Sequence, residues 1–304
     1  MPTSIPPDTL THVFEGFETF DVTVDAVTVH GVRGGNGPPL LLLHGFPQTH
    51  VMWAPIASRL ARTHTVIAPD LRGYGDSTVP PDAGDHAQAS FRVMARDQVA
   101  LLAALGYRRA AVVGHDRGGR VAHRLALDFP DRLDRLALLD ILPTLHVFEH
   151  LDQRVGIGYY HWFFLAQPAP LPETLIGSDP IFYLHTLLGG WGGRGPITTH
   201  RDALPAYERA FGDPAHRHAM IEDYRAAATI DLAHDRESAA LGERITVPAL
   251  ILWGDQGLVG GSPVSPLDVW RTRMADGVPV EGEAIAGAGH FLVEDAPDAT
   301  LAAL

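Results

Sequence analysis

Five short apolar runs constrain this chain most: LLLLH at 40–44, TVIAPD at 65–70, AAVVGH at 110–115, RLALLDI at 135–141 and VPALILW at 247–253. Each is continuous rather than alternating, which suits a strand buried on both faces of a parallel sheet. Helix-like segments separate several of them, including 91–105 and 117–129. That alternation predicts an open α/β sheet with helices on both faces. Residues 21–32 (DVTVDAVTVHGV) alternate instead, as antiparallel edge strands do. In such sheets, ligands bind outside the carboxyl ends of the strands.

The rhythm stops between about 143 and 244. That stretch carries aromatics (YYHWFF at 159–164) and Pro/Gly punctuation (QPAPLP at 167–172, GGWGGRGP at 189–196). Asp213-Pro214 reads as an N-cap with proline at the first helical position, opening a helix through about Ala228. The expected division is a core of residues 1–142 and 245–304 and a helical cap of 143–244, inserted after the sixth strand over the sheet's C-terminal edge. A last strand is expected at about 279–285, and any final helix is short.

Composition excludes several functions. Lys+Arg number 23 against 36 Asp+Glu, a net charge of -13, which disfavours nucleic acid and anionic membrane surfaces as partners. With 0 cysteines, there is no disulfide, thiolate nucleophile or Cys-ligated metal. No apolar stretch reaches the ~18 residues of a membrane span. The opening MPTSIPPDTL does not read as a signal peptide, so a cytoplasmic protein is expected. His216 and His218 are two apart and His146 and His150 four apart, without an HExxH motif, so no metal is expected. Neither GxGxxG nor a Walker A sequence is present, and no nucleotide cofactor is expected.

Gly114-His115-Asp116-Arg117-Gly118 follows a buried strand and opens a helix. That is the setting of the G-x-S-x-G elbow, with aspartate in the serine position. An ionised carboxylate at a helix N-terminus can attack an sp³ carbon, displace a leaving group and form an ester that water must hydrolyse. His290, in GAGHFLVED, is placed to serve as the general base. The acid that orients it is Asp140, at the end of RLALLDI, with Asp255 of WGDQG in reserve as a loop or helix-cap residue. His44-Gly45-Phe46-Pro47 follows the first of the five apolar runs. The backbone N–H groups of Phe46 and Arg117 are candidates for an oxyanion hole, with His44 as a structural hydrogen-bonder. The turn Asp70–Gly75 is assigned no chemistry.

Arg117 and Arg120 share a face in the first helical turn, where cations are locally unfavourable. Salt bridges to surface acids could offset that. A clamp for a substrate carboxylate beside Asp116 is the sharper reading, since Arg forks match carboxylates. In the cap, His161 and Trp162 carry N–H donors and Tyr224 a hydroxyl. Three such neutral donors would suit a departing halide, fluoride above all.

On GHDRGGR (114–120), YHWFFLAQPAPLPE (160–173), EDYRA (222–226), LDILPT (139–144), SPLDVW (265–270) and GHF (289–291), the sequence resembles the fluoroacetate (haloacetate) dehalogenases of the α/β-hydrolase superfamily. The resemblance implies that fold, a small haloacid as substrate, no cofactor and a homodimer. It also implies Asp116 as nucleophile, His290 as base, Asp140 as acid, Arg117 and Arg120 as carboxylate binders, and His161, Trp162 and Tyr224 as halide binders. The nearest rival is an epoxide hydrolase using the same Asp–His–Asp set, with Tyr224 and either Tyr159 or Tyr160 as proton donors. A haloalkane dehalogenase fits Arg117 poorly. A non-catalytic receptor or scaffold would not need Asp116, Asp140 and His290 together.

Overall fold

The computed structural model describes residues 13–81, 84–190 and 201–304. The MPTSIPPDTL segment and 191–196 of the Gly-rich punctuation lie outside them. Eight strands form one sheet: β1 (Glu18–Val24), β2 (Val27–Gly34), β3 (Pro39–Leu43), β4 (Thr65–Pro69), β5 (Ala110–His115), β6 (Leu133–Leu139), β7 (Ala249–Gly254) and β8 (Val280–Ile285). Their spatial order is β1-β2-β4-β3-β5-β6-β7-β8. β1 pairs antiparallel with β2, and β2 antiparallel with β4. Every other pairing is parallel.

The apolar runs occupy the centre, as burial on both faces requires. Leu41, Leu42 and Leu43 of β3 are fully buried, each worth roughly 1.5–3 kcal/mol relative to exposure. β8, at the edge, keeps several exposed positions. The helices of the core are α1 (Ala54–Leu60), α2 (Phe91–Ala104) and α3 (Asp116–Asp128). Between β6 and β7 come α4 (Thr144–Glu149), α5 (Gln153–Gly158), α6 (Tyr160–Leu165), α7 (Leu171–Gly177), α8 (Pro180–Gly190), α9 (Leu204–Gly212), α10 (Pro214–Ala228) and α11 (Ile230–Leu241). No strand interrupts them among the described residues. The chain closes with α12 (Pro266–Arg271), α13 (Leu292–Asp295) and α14 (Pro297–Ala303).

α10 begins where its capping residues place it. The Asp213 carboxylate accepts the N–H groups of Ala215 and His216, satisfying two donors that the first turn leaves without helical partners. Its inward side brings Met220, Ile221, Asp223 and Tyr224 into the interior. The helical layer and the sheet share one continuous apolar cluster, which runs from Leu41 and Val112 to Trp162, Tyr207 and Phe211.

Candidate active site

The site lies where β3, β5 and β6 end. At the β5–α3 junction, Asp116 sits in the left-handed region with φ 47, and Asp140 after β6 does the same with φ 50. Both are non-glycine residues in a sparsely populated conformation, and each costs of order 1–3 kcal/mol that the surrounding fold must offset. The turn closes tightly because Gly118 has no side chain. A Cβ there would lie 2.4 Å from the carbonyl oxygens of Leu43 and His44, and the Gly118 N–H donates to that His44 oxygen at 2.9 Å.

Asp116 Oδ1 accepts the Phe46 backbone N–H at 2.9 Å. Its Oδ2 faces His290 Nε2 at 3.7 Å. His290 Nδ1 lies 2.6 Å from Asp140 Oδ2, which assigns a ring proton to Nδ1 and turns Nε2 toward Asp116. The Gly254 N–H donates to the other Asp140 oxygen at 3.0 Å. Asp255, one residue further on, is exposed; it accepts the Gly287 N–H at 2.9 Å and braces a loop.

Burial favours the neutral acid at Asp116, but the charges of His290, His115, Arg117 and Arg120 outweigh it and hold the pKa down at about 2. Asp116 is therefore an anion at neutral pH. Burial would lower the His290 pKa, but the hydrogen bond and charge of Asp140 with the charge of Asp116 raise it above the ordinary value. Burial pushes Asp140 up despite its bond to His290. His115, beside them, is pushed down to about 3 by burial and by His290, and its Nε2 lies 2.8 Å from the His290 carbonyl oxygen.

The two arginines differ. Arg117 is fully buried and ion-paired with the equally buried Asp223. Its Nε donates to Asp223 Oδ2 at 2.9 Å and its Nη2 to both Asp223 Oδ1 and the Asp223 carbonyl. The guanidinium lies over the Tyr224 ring at 4.0 Å. Arg117 Nη1 has no hydrogen-bond partner among the described residues. Arg120 Nη1 donates to the Leu142 carbonyl and the Thr144 hydroxyl, at 3.0 and 2.8 Å. Its guanidinium lies 4.4 Å over the Trp162 ring. The salt bridge weighed for these residues exists at Arg117, to a buried acid rather than a surface one.

His161, Trp162 and Tyr224 are all buried. The His161 and Tyr224 rings meet edge-on at 5.6 Å, and the Tyr224 ring meets Phe46 at 5.0 Å. The Tyr224 hydroxyl has no partner among the described residues. Burial lowers the His161 pKa well below its ordinary value, so its ring is neutral. Trp162 is packed between Arg120 and Tyr159, whose ring is 5.1 Å away. Of the two tyrosines weighed with Tyr224, Tyr160 is exposed and Tyr159 lines the cleft.

That cleft has a volume of about 350 Å³. Asp116, Asp140, Tyr159, His161 and His290 form its inner wall, and Arg154 and Gln256 also border it. Arg154 Nη1 donates to the Leu258 carbonyl at 2.9 Å, tying α5 to the loop after β7. No group of three or more metal-ligating side chains occurs among the described residues. His44 is structural: its Nε2 accepts the Leu71 N–H at 2.9 Å.

Sequence reasoning missed Asp223 and Tyr74. The Tyr74 hydroxyl donates to Asp223 Oδ2 at 2.7 Å, so the Asp70–Gly75 turn reaches the site after all. A buried cation in a first helical turn was the signal that a buried acid had to answer it.

A model described as the alpha/beta hydrolase fold matches residues 38–297. The chain belongs to that family. It is 47% identical to a fluoroacetate dehalogenase from Burkholderia sp, over 95% of this chain and 92% of the other. It is 33% identical to a soluble epoxide hydrolase from Corynebacterium sp. (strain C12), over 90% and 91%. Among solved structures, a candidate alpha/beta hydrolase from Nostoc sp PCC 7120 superposes with a TM-score of 0.89 at 50% identity, covering 94% of this chain and 96% of that one.

Proposed function

We propose that the protein is a hydrolytic dehalogenase of short 2-haloacids, with fluoroacetate the leading substrate. The observation that carries this reading is the buried Asp116 carboxylate, facing His290 through Oδ2, with two arginines in the turn that follows it and one Arg117 donor uncommitted. The similarity to a fluoroacetate dehalogenase supports it.

Arg117 Nη1 and Arg120 hold the substrate carboxylate. Asp116 Oδ2 attacks Cα in line, a carbon–oxygen bond forms, and the carbon–halogen pair leaves with the halide toward His161, Trp162 and Tyr224. The product of this step is an ester of Asp116. Water then loses a proton to His290 Nε2 and adds to the ester carbonyl carbon. The carbonyl oxygen, Asp116 Oδ1, already holds the Phe46 N–H, and the Arg117 N–H is the second donor to the oxyanion. Collapse of the tetrahedral species expels the 2-hydroxy acid, whose oxygen takes the proton back from His290. Displacement at Cα occurs once, so a chiral substrate is inverted.

Incubation with fluoroacetate and with chloroacetate, read by ion-selective electrodes, tests the reading. Fluoride release is expected. Chloride alone would keep the Asp116 displacement and demote the halide pocket. Release of neither ion would overturn the proposal. A second reading, epoxide hydrolysis, is favoured by Tyr159 and Tyr224, both within reach of the Asp116 charge, and by the epoxide hydrolase relative. Diol formation from a terminal epoxide without halide release would select it.

A further inference from the structure

Arg117 and Arg120 stand three residues apart, yet among the described residues only Arg117 has an ion-pair partner. Arg117 is paired in a fork with Asp223, and both side chains have no exposure. Asp223 is held from its other side by the Tyr74 hydroxyl, and Tyr74 is itself fully buried. The Arg117 guanidinium also lies over the Phe91 and Tyr224 rings, at 4.9 and 4.0 Å. Nε and Nη2 are spent on Asp223, so this side chain can neither swing nor offer a second nitrogen. Arg120 has neutral partners instead, the Leu142 carbonyl, the Thr144 hydroxyl and the Trp162 ring. It forms no ion pair among the described residues.

We propose that Asp223, braced by Tyr74, is a positioning residue that cancels the charge of Arg117 and fixes it as a single Nη1 donor, leaving Arg120 as the cation that balances the substrate carboxylate. This rests on the haloacid reading of the site. The physical gain is directional. Two free guanidinium forks would bind a carboxylate strongly in several orientations, and most of them would misalign Cα with Asp116. One rigid donor plus one cation specifies a single orientation. A misplacement of about 1 Å costs on the order of 100-fold in rate. Neutralising Arg117 also limits the attraction it exerts on Asp116, whose electron pair must reach the substrate carbon.

The test separates binding from turnover. Asp223→Asn keeps the shape but frees the Arg117 charge. Acetate, an unreactive mimic of the substrate carboxylate, is titrated calorimetrically into the protein and the variant, and kcat is measured with chloroacetate. Binding of acetate as tight as in the unmodified protein or tighter, together with a fall in kcat of ~10–100-fold, is the expected result. Acetate binding that weakens in step with kcat would show a merely structural role and overturn the proposal, as would an unchanged kcat. Tyr74→Phe removes only the brace and serves if Asp223→Asn fails to fold. It is expected to shift kcat in the same direction, by less, with acetate binding retained; unchanged kcat, or lost acetate binding, overturns the proposal. If the unmodified protein releases no halide, the haloacid reading fails by itself, and the acetate titration still reports on Asp223 and Arg117.

Discussion

Asp116 is anionic at neutral pH because four neighbouring cationic or ionisable groups outweigh its burial, and His290 is more basic than usual because two carboxylates flank it. Their titrations therefore fall in different ranges. With a pKa of about 2, Asp116 contributes no limb to a rate profile near neutrality. His290 must be neutral to take a proton from water. Its raised pKa means that the protonated form persists above the ordinary 6.5 in the free site, and ester hydrolysis is lost as pH falls through the His290 pKa of the ester form. Esterification of Asp116 removes one of the charges that raise His290. The limb measured for ester hydrolysis is thus expected below the His290 pKa measured in the free protein. Asp140→Asn, which removes the other charge, is expected to move both down. A limb unmoved by Asp140→Asn, read in single-turnover pH profiles, would contradict this account of His290. At this scale the sequence favours Asp140 but keeps Asp255 in reserve, since both follow an apolar strand. Only the folded turn after β7 shows that Asp255 braces Gly287 while Asp140 reaches His290.

The elements were more legible than the contacts between them. The central strands announce themselves because burial on both faces demands unbroken apolar runs, and α10 because Asp213 and Pro214 are a cap and a first-turn proline. β8 gave a weaker signal, since an edge strand with a glycine and three acidic or exposed positions lacks the pattern. The pairing of Arg117 with Asp223 spans 106 residues, and no local propensity encodes it. The tight junction of β5 and α3 does carry a local signature, and its consequence can be measured. Gly118→Ala would press a Cβ into two backbone carbonyls that cannot move aside. A loss of at least ~1–3 kcal/mol of stability, or failure to fold, is expected, read as the urea midpoint. An unchanged midpoint would mean that the elbow is looser than described.

Across the whole molecule, the helical layer is locked to the sheet rather than resting on it. The apolar cluster is continuous between them. Tyr207 of α9 donates to Glu294 of α13 at 2.9 Å, and Arg124 of α3 is ion-paired with Asp235 of α11. The cleft that remains opens beside Arg154, in a protein whose net charge is -13. A local cation there offers an anion a favourable path toward Asp116 through an otherwise repulsive surface field. In the proposed reaction the carbon–halogen bond breaks through an Asp116 ester. The most direct measurement is a single turnover with protein in excess over chloroacetate in oxygen-18 water, followed by mass analysis of glycolate and of the peptide containing Asp116. Unlabelled glycolate and one heavy oxygen in Asp116 are expected, because water attacks the ester carbonyl and not the substrate carbon. Labelled glycolate with an unlabelled Asp116 would contradict it.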